Sequence, residues 1–346
     1  MGLHSVWGPL IAWYLFLAGT GAGAYLVGAV AGFLGERYRP LVKPGVLLGA
    51  PLVAIGCVLL LFDLGVPTRF LMAFLQPQTS MMSVGVIIIS CFIVLSGVHW
   101  ILTVTKKGSE KLLRGLSIAA GVFAVGTAVY TGLLLALVQA VPFWNQPLLP
   151  VLFLFSALST GIGAVFVAVG VMRRVRPAAP AKTKLAATGA GVAVLDDDMA
   201  VPAAPTRSAA VPRTAEQSAV VAQEVDENVV ASAHALGVVD LPIVVAELLV
   251  LFSMMFIMGS SHSVAALSVD FLLAGGFALP FWLGIVLVGL VVPAVLEIVS
   301  LARWHGAQYG ARVLDAGVIT GLCLLVGGVM LRFAVVAAGL NIAVLM

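Results

Sequence analysis

The chain has 346 residues, of which 62% are hydrophobic and only 10% are charged. Its mean hydropathy of +1.15 excludes an ordinary soluble domain, because a water-exposed surface cannot hold that much apolar material. The net charge of +3 requires no nucleic-acid partner, since the placement of basic residues between apolar stretches accounts for it.

Eight apolar stretches each approach the roughly 20 residues that a helix needs to cross the hydrocarbon layer. They lack the alternation of apolar and polar residues that is typical of outer-membrane barrel strands. The sequence therefore predicts an all-α, polytopic, multi-pass protein of the cell (inner) membrane, surrounded by membrane lipid. The predicted spans are 8–34, 43–65, 81–104, 115–140, 148–172, 240–260, 277–301 and 313–337.

The basic residues occupy alternate gaps between these spans. Of the 18 Lys and Arg residues, only Arg69 and Arg332 lie elsewhere. Because basic residues are enriched in cytoplasmic loops, the pattern places those gaps in the cytoplasm. An even number of spans then predicts that both termini are periplasmic.

The first two predicted spans carry a small-residue string and a polar turn. Span one contains Thr20-Gly21-Ala22-Gly23-Ala24, whose glycines favour the close approach of a neighbouring helix. Span two ends near Asp63, and Pro67 and Arg69 follow shortly after it. Asp63 and Arg69 are interpreted either as a structural cap with a salt bridge or as a proton-accepting, ligand-anchoring pair.

Span five repeats the string of span one as Thr160-Gly161-Ile162-Gly163-Ala164. Four spans separate the two copies, so the repeat is parallel. An Ala- and Pro-rich stretch follows and predicts a largely disordered cytoplasmic linker, in which about 214–235 could form a short surface helix. The predicted division is 1–172 for the first four-helix bundle plus the fifth span, 173–238 for the linker, and 239–346 for the last three spans, which complete the second bundle.

Later spans carry charged residues at membrane depth, where each is energetically expensive. Glu247 lies within span six and Arg332 within span eight. We predict that they line a polar cavity or a proton path; the alternative is one structural contact each, or snorkelling of Arg332. Glu297, near the cytoplasmic end of span seven, is expected at the membrane interface.

The Cys and His residues predict no metal site. The three cysteines, Cys57, Cys91 and Cys323, are isolated within spans, which argues against an iron–sulfur cluster or a zinc site. The five histidines do not fall as pairs on facing spans, which a diheme cytochrome b needs. We therefore expect no heme, no iron–sulfur cluster and no other metal in this chain.

Six runs of residues follow one another in order along the chain. They are Trp7-Gly8-Pro9-x-x-x-Trp13-Tyr14, Asp63-Leu64-Gly65-x-Pro67-x-Arg69-Phe70, Thr79-Ser80-Met81-Met82-Ser83-x-Gly85, Tyr130-Thr131-Gly132, Leu152-Phe153-x-x-Ser156-Ala157-x-Ser159-Thr160-Gly161 and Gly327-Gly328-x-x-Leu331-Arg332. Together they resemble the polysulfide reductase NrfD-type membrane subunits, which are similar to dimethyl sulfoxide reductase anchor subunits. The resemblance covers all eight spans and fails only over the linker.

The resemblance implies two packed four-helix bundles and a quinone-reactive membrane anchor. Such a subunit exchanges electrons between menaquinone or ubiquinone and a four-cluster ferredoxin-like iron–sulfur subunit, which serves a molybdopterin catalytic subunit. Quinol oxidation releases protons, so its site needs proton acceptors beside apolar walls. The quinone-binding candidates are His4, Tyr130, Asp63 and Arg69, and the proton-path candidates are Glu247 and Arg332.

Two other classes of function remain open at this point. A secondary transporter with parallel four-helix repeats also has embedded charged residues and Gly-rich helices. A purely structural anchor would only tether a soluble enzyme to the membrane. Copurification of an iron–sulfur protein favours either anchor over the transporter, and substitution of Tyr130 or Asp63 separates the quinone-reactive anchor from the structural one.

Overall fold

The computed structural model describes residues 8–63, 81–175, 213–261, 264–302 and 310–343, and every regular element in these ranges is a helix. Eight helices are long and apolar enough to cross a membrane, which confirms the predicted all-α, multi-pass class. Besides a single 3-10 turn at Glu36–Tyr38, the described ranges contain nine longer helices: α1 Pro9–Leu34, α2 Arg39–Asp63, α3 Met81–Thr105, α4 Glu110–Ala136, α5 Leu148–Val175, α6 Arg213–Gly259, α7 Val264–Leu273, α8 Pro280–Ala302 and α9 Gly310–Ala343.

Several helix ends follow from local sequence. Helix α1 begins with Gly8 at the N-cap and Pro9 in the first turn, where the missing N–H of proline costs nothing. It ends at Gly35, whose φ of 105° is one that residues with a side chain rarely adopt. Helix α4 begins after Ser109, whose hydroxyl accepts a hydrogen bond from the Leu112 N–H at 3.3 Å.

Helix α6 starts earlier than the predicted span at 240–260. It begins at Arg213, and its membrane-compatible part runs over Asn228–Gly259. Ala233 and Leu236 are buried in a cluster with Ala31 of α1 and Phe166 of α5, so this stretch packs against both bundles. Residues 176–212, most of the predicted linker, lie outside the described residues.

The first four spans pack as one ring of helices. Helix α1 contacts α2 and α4, and α3 contacts the same two helices from the other side. Helices α5, α6, α8 and α9 form a second ring, in which α5 contacts α6 and α9, and α8 contacts the same pair. Two four-helix bundles result, as expected for two four-span halves.

Helix α8 departs from regular α-helical winding. Its first part, Pro280–Val291, is π-helical, with wider turns than an α-helix, and Val292–Ala302 continues as an α-helix. In the wide-turned part, Gly289 meets Gly327 of α9 so closely that a Cβ at Gly289 would lie 2.6 Å from the Gly327 Cα. Helices α8 and α9 therefore approach through backbone rather than through side chains.

The small-residue strings of spans one and five join the two bundles. A Cβ at Gly161 of α5 would lie 2.3 Å from the Gly23 carbonyl carbon of α1, so both helices need glycine where they cross. Within the first bundle Gly21 packs against Gly49 and Val53 of α2. One continuous apolar core passes through both bundles across this crossing.

Candidate functional site

The end of the first bundle where α1 begins and α2 ends carries a carboxyl group, and we call it the Asp63 end. Asp63 is the last residue of α2, and a Cβ at Gly8 would lie 2.8 Å from its Oδ1 atom. The carboxyl group therefore lies beside the start of α1, where free backbone N–H groups and the helix dipole favour an anion.

Tyr130 lies at the same end of the first bundle, on α4. Its ring packs directly over Gly85 of α3, where any Cβ atom would occupy the space that the ring fills. Tyr14 of α1 is buried at the same level, and the side chains of Tyr130 and Cys57 lie close enough to act on it electrostatically. All four helices of the bundle thus contribute to one layer of two tyrosines, a thiol and a glycine.

Two residues of the predicted quinone-binding set lie at the same end of the first bundle. Asp63 and Tyr130 share the Asp63 end, and Tyr14 joins them as a residue that carried no predicted role. His4 and Arg69 lie outside the described residues, although His4 precedes Gly8 by a single short segment of chain. The quinone-binding assignment of all four residues stays a prediction.

Glu247 and Arg332 are both buried inside the second bundle. Glu247 on α6 is 4% exposed, and the Ser159 hydroxyl of α5 donates a hydrogen bond to its Oε2 atom at 2.8 Å. Arg332 on α9 is 1% exposed, so it does not snorkel. Its positive charge acts on Glu247 from the neighbouring helix.

Arg332 sits where the two bundles meet. Its guanidinium carbon lies 3.9 Å from the centroid of the Phe153 ring, and its Nη2 donates to the Phe153 carbonyl at 3.4 Å. A Cβ at Gly19 of α1 would lie 3.4 Å from the same Nη2. Its Nε and Nη1 atoms have no hydrogen-bond partner among the described residues.

A small cavity adjoins the Glu247 carboxyl group. Its volume is about 10 Å³, close to the least that one water molecule needs. Ser159, Gly289, Gly327 and Gly328 form part of its wall, so the glycines that let α8 and α9 approach also leave this space. Ser159 is the polar side chain that borders this cavity beside Glu247 within the described residues.

Two further buried carboxyl groups escaped the sequence analysis. Glu297 was expected at the membrane interface, but it is 3% exposed, because α8 turns it toward α6. Asp240, which had no predicted role, is 0% exposed. Asp240 and Glu247 are seven residues apart on one helix, a spacing that puts both side chains on the same face. This spacing in the sequence was a signal that Asp240 faces the same interior as Glu247.

A second cavity, of about 20 Å³, lies beside Glu297. Its wall includes His234 and Gly237 of α6, Phe166 of α5 and Thr320 of α9. Asp240, Glu247, Ser159 and Arg332 are buried polar side chains of the same bundle, and Arg332 lies at the contact with α1.

The side chains of the described residues form no metal-binding group. No group of three or more His, Cys, Asp or Glu side chains within the described ranges is arranged to hold a metal ion. Cys57, Cys91 and Cys323 are separate free thiols. The expectation that the protein binds no heme and no iron–sulfur cluster stays a prediction.

The chain is similar to known proteins over almost its whole length. The family model described as "Polysulphide reductase, NrfD" matches residues 1–199. The C subunit of the polysulfide reductase of Wolinella succinogenes is 28% identical, over 96% of this protein and 94% of the relative. "Protein NrfD" of Escherichia coli is 28% identical, over 96% of this protein and 95% of the relative. The protein therefore belongs to the polysulphide reductase NrfD family of multi-pass membrane proteins.

Proposed function

We propose that this protein is the quinone-reactive membrane anchor subunit of a respiratory molybdopterin oxidoreductase. It exchanges electrons between menaquinone or ubiquinone and a four-cluster ferredoxin-like iron–sulfur subunit, which connects it to the molybdopterin catalytic subunit. Membership of the NrfD family supports a membrane subunit of a respiratory reductase, because one full-length relative is named as one subunit of such an enzyme.

The quinone site in this proposal is the Asp63 end of the first bundle. The observation that carries it is the placement of Asp63 beside the start of α1, with the buried Tyr130 on a neighbouring helix. The Tyr130 hydroxyl donates a hydrogen bond to a quinone oxygen, Asp63 and His4 accept the released protons, and Arg69 is the ion-pair partner of Asp63. Quinol oxidation then yields quinone, two protons, and two electrons for the iron–sulfur subunit.

The test compares Tyr130→Phe and Asp63→Asn with the matched changes Tyr38→Phe and Asp315→Asn, which lie away from this end. Vesicles that hold the assembled complex oxidise a quinol analogue with a soluble dye as electron acceptor. We expect the first two variants to lose activity by roughly 10²-fold, a typical contribution of one proton-transferring group, and the controls to keep it. Wild-type rates in Tyr130→Phe and Asp63→Asn would favour a purely structural anchor.

We further propose that Glu247 and Arg332 belong to a proton path from the quinone site into the second bundle. The cavity beside Glu247 and the hydrogen bond from Ser159 support this role, since a buried carboxylate needs polar partners to exchange protons. Glu247→Gln should slow quinol oxidation, or remove its dependence on the proton gradient, in complexes that still assemble. Unchanged turnover and proton release in an assembled Glu247→Gln complex would eliminate the path.

Copurification separates the anchor from a transporter. The tagged full-length protein, extracted from its native membrane in mild detergent, should bring with it a protein that contains iron and acid-labile sulfide. A secondary transporter would be isolated without such a partner and would retain a substrate site near the middle of the membrane.

A further inference from the structure

Two carboxyl groups meet in the interior of the second bundle. Asp240 projects from α6 and Glu297 from α8, and both side chains are almost completely buried. Glu297 reaches over Gly237, where a Cβ would lie 3.9 Å from its Cγ atom. The glycine one turn before Asp240 therefore leaves the space through which Glu297 approaches α6.

The pair is satisfied only when it holds a proton. When both groups are ionised, none of their four carboxylate oxygens has a hydrogen-bond donor among the described residues. With one proton between them, the two carboxyl groups become hydrogen-bond partners of each other. Two adjacent unpaired negative charges in a buried site are strongly disfavoured, and carboxylate pairs of this kind share one proton.

The charged surroundings do not replace that proton. Arg332 lies near Glu247 rather than near the pair, and Asp315 is exposed and paired with Arg174 at 3.4 Å. The titratable or charged side chains of the described ranges that act on the pair or share its cavity are Glu247, on the same helix as Asp240, and His234, which has Arg37 as its own charged neighbour.

The pair also lies between two cavities. Glu297 forms part of the wall of the 20 Å³ cavity, together with His234, Ser300 and Thr320. On the other side, two turns along α6, Glu247 borders the 10 Å³ cavity. Each volume is close to the least that one water molecule needs, so a cavity that can admit water lies toward each end of the segment from His234 to Glu247.

We propose that Asp240 and Glu297 form a shared-proton pair that stores one proton and relays it between the His234 cavity and Glu247. In one transfer the pair releases its proton to a water molecule admitted by the His234 cavity, and a proton from the Glu247 carboxyl group replaces it. No electron moves, and only O–H bonds form and break. The relay part of this proposal depends on the proposed proton path through Glu247. The sharing of one proton by Asp240 and Glu297 is independent of that path.

The shared proton is tested without any enzymatic activity. The purified full-length protein in lipid nanodiscs should show an infrared C=O band of a protonated carboxylic acid that shifts in D2O. The double variant Asp240→Asn/Glu297→Gln should lose intensity in this band. The exchanged variant Asp240→Glu/Glu297→Asp should keep it, and Asp315→Asn should leave it unchanged because that group is exposed and ion-paired.

An unchanged band in a correctly folded double variant would overturn the shared proton. Folding is checked by elution as the wild-type species in size-exclusion chromatography and by an unchanged melting temperature. If the double variant does not fold, Glu297→Gln and the exchanged variant provide the same comparison. In that case an equal band in wild type and Glu297→Gln, with no shift of its position, would overturn the proposal.

The relay is tested in the assembled complex. Glu297→Gln should slow proton release into the vesicle medium by roughly 10²-fold during quinol-analogue oxidation, whereas the exchanged variant should restore much of it. Quinone-analogue binding, measured by quenching of tryptophan fluorescence, should not change. If Glu247→Gln blocks proton release and Glu297→Gln does not, the relay is wrong and the path through Glu247 stands. If neither variant changes proton release while Tyr130→Phe stops oxidation, both the path and the relay are wrong and the quinone site stands.

Discussion

The interior of the first bundle holds hydroxyl groups and one imidazole, whereas the interior of the second also holds four ionisable side chains. In the first bundle Tyr25 and His99 share a hydrogen bond of 2.7 Å, and Thr127 donates to the Phe123 carbonyl at 2.8 Å. Every buried Asp, Glu or Arg of the described ranges, namely Asp240, Glu247, Glu297 and Arg332, belongs to the second bundle.

The two bundles therefore contain two kinds of buried polar group, which differ in what they cost inside a membrane. A hydroxyl group costs little there, because a backbone carbonyl one turn earlier accepts its hydrogen bond. A charged side chain at this depth must be paired with an opposite charge, neutralised by a proton or hydrated by water. Because such residues are costly, their presence points to a functional region. On the proposed function, the first bundle binds the quinone and the second carries protons, although both have the same four-helix design.

The largest expected effect concerns the orientation of both bundles. A parallel repeat requires the two bundles to cross the membrane in the same sense, and the charge pattern places the segment between α5 and α6 on the cytoplasmic side. Protease added to inverted vesicles should cut within 176–212, and protease added to intact spheroplasts should leave this segment uncut. Cleavage in spheroplasts would reverse the orientation, and the Asp63 end would then face the cytoplasm.

The next largest effect concerns charge in the second bundle. Arg332→Gln removes the cation that acts on Glu247 and should lower the free energy of unfolding by about 3 kcal/mol, the lower end for loss of one buried ionic partner. Adding Glu247→Gln should recover part of this loss, which steric trapping in bicelles can measure. If the double variant is no more stable than Arg332→Gln, the two charges do not act as partners.

A smaller effect concerns the crossing between the bundles. Gly23→Val places a side chain against the backbone of Ala157 in α5 and should cost roughly 1–3 kcal/mol of unfolding free energy through overpacking. Gly97→Val is the matched control, since a Cβ at Gly97 meets no atom within 4 Å. Melting temperatures of the two variants in one detergent compare them, and equal values would show that the α1–α5 crossing tolerates separation.

The smallest effect concerns the polar contact inside the first bundle. Tyr25→Phe removes the hydroxyl that bonds His99 Nδ1 and should cost about 1 kcal/mol, a typical net value for one buried hydrogen bond. Quinol oxidation should stay at the wild-type rate, because this pair lies away from the Asp63 end. A loss of activity as large as that of Tyr130→Phe would mean that the first bundle also carries protons.

Length and hydropathy were sufficient to predict the eight spans. The prediction of 148–172 for span five compares with Leu148–Val175 in the structure. Helix α6 was placed too late, because the Ala- and Val-rich residues before Asp240 adjoin a polar stretch and their burial depends on contacts with other helices. The short helix Val264–Leu273 was not predicted, since ten residues are too few for a span.

The sequence revealed a site residue when a charged side chain lay deep within an apolar span, where such a side chain is rare. Glu247 and Arg332 lie far within apolar sequence, and both are buried. Glu297 lies near the end of a span, where a charge needs no explanation, and only the packing of α8 against α6 shows that it is buried. The role of Gly85 under the Tyr130 ring likewise depends on which helices are neighbours, and local sequence does not contain that information.

The crossing of α1 and α5 has a consequence for biosynthesis. When the ribosome has inserted the first four spans, Gly23 of α1 still lacks its neighbour, because α5 emerges only afterwards. Gly23 therefore faces lipid or an insertion factor until then, and the packing of the first bundle is completed only by a helix of the second. A cut of the chain between residues 176 and 212 leaves α5 on the N-terminal fragment and α6, α8 and α9 on the C-terminal fragment. Because these four helices form the second bundle, the two fragments must reassociate there to restore a working protein.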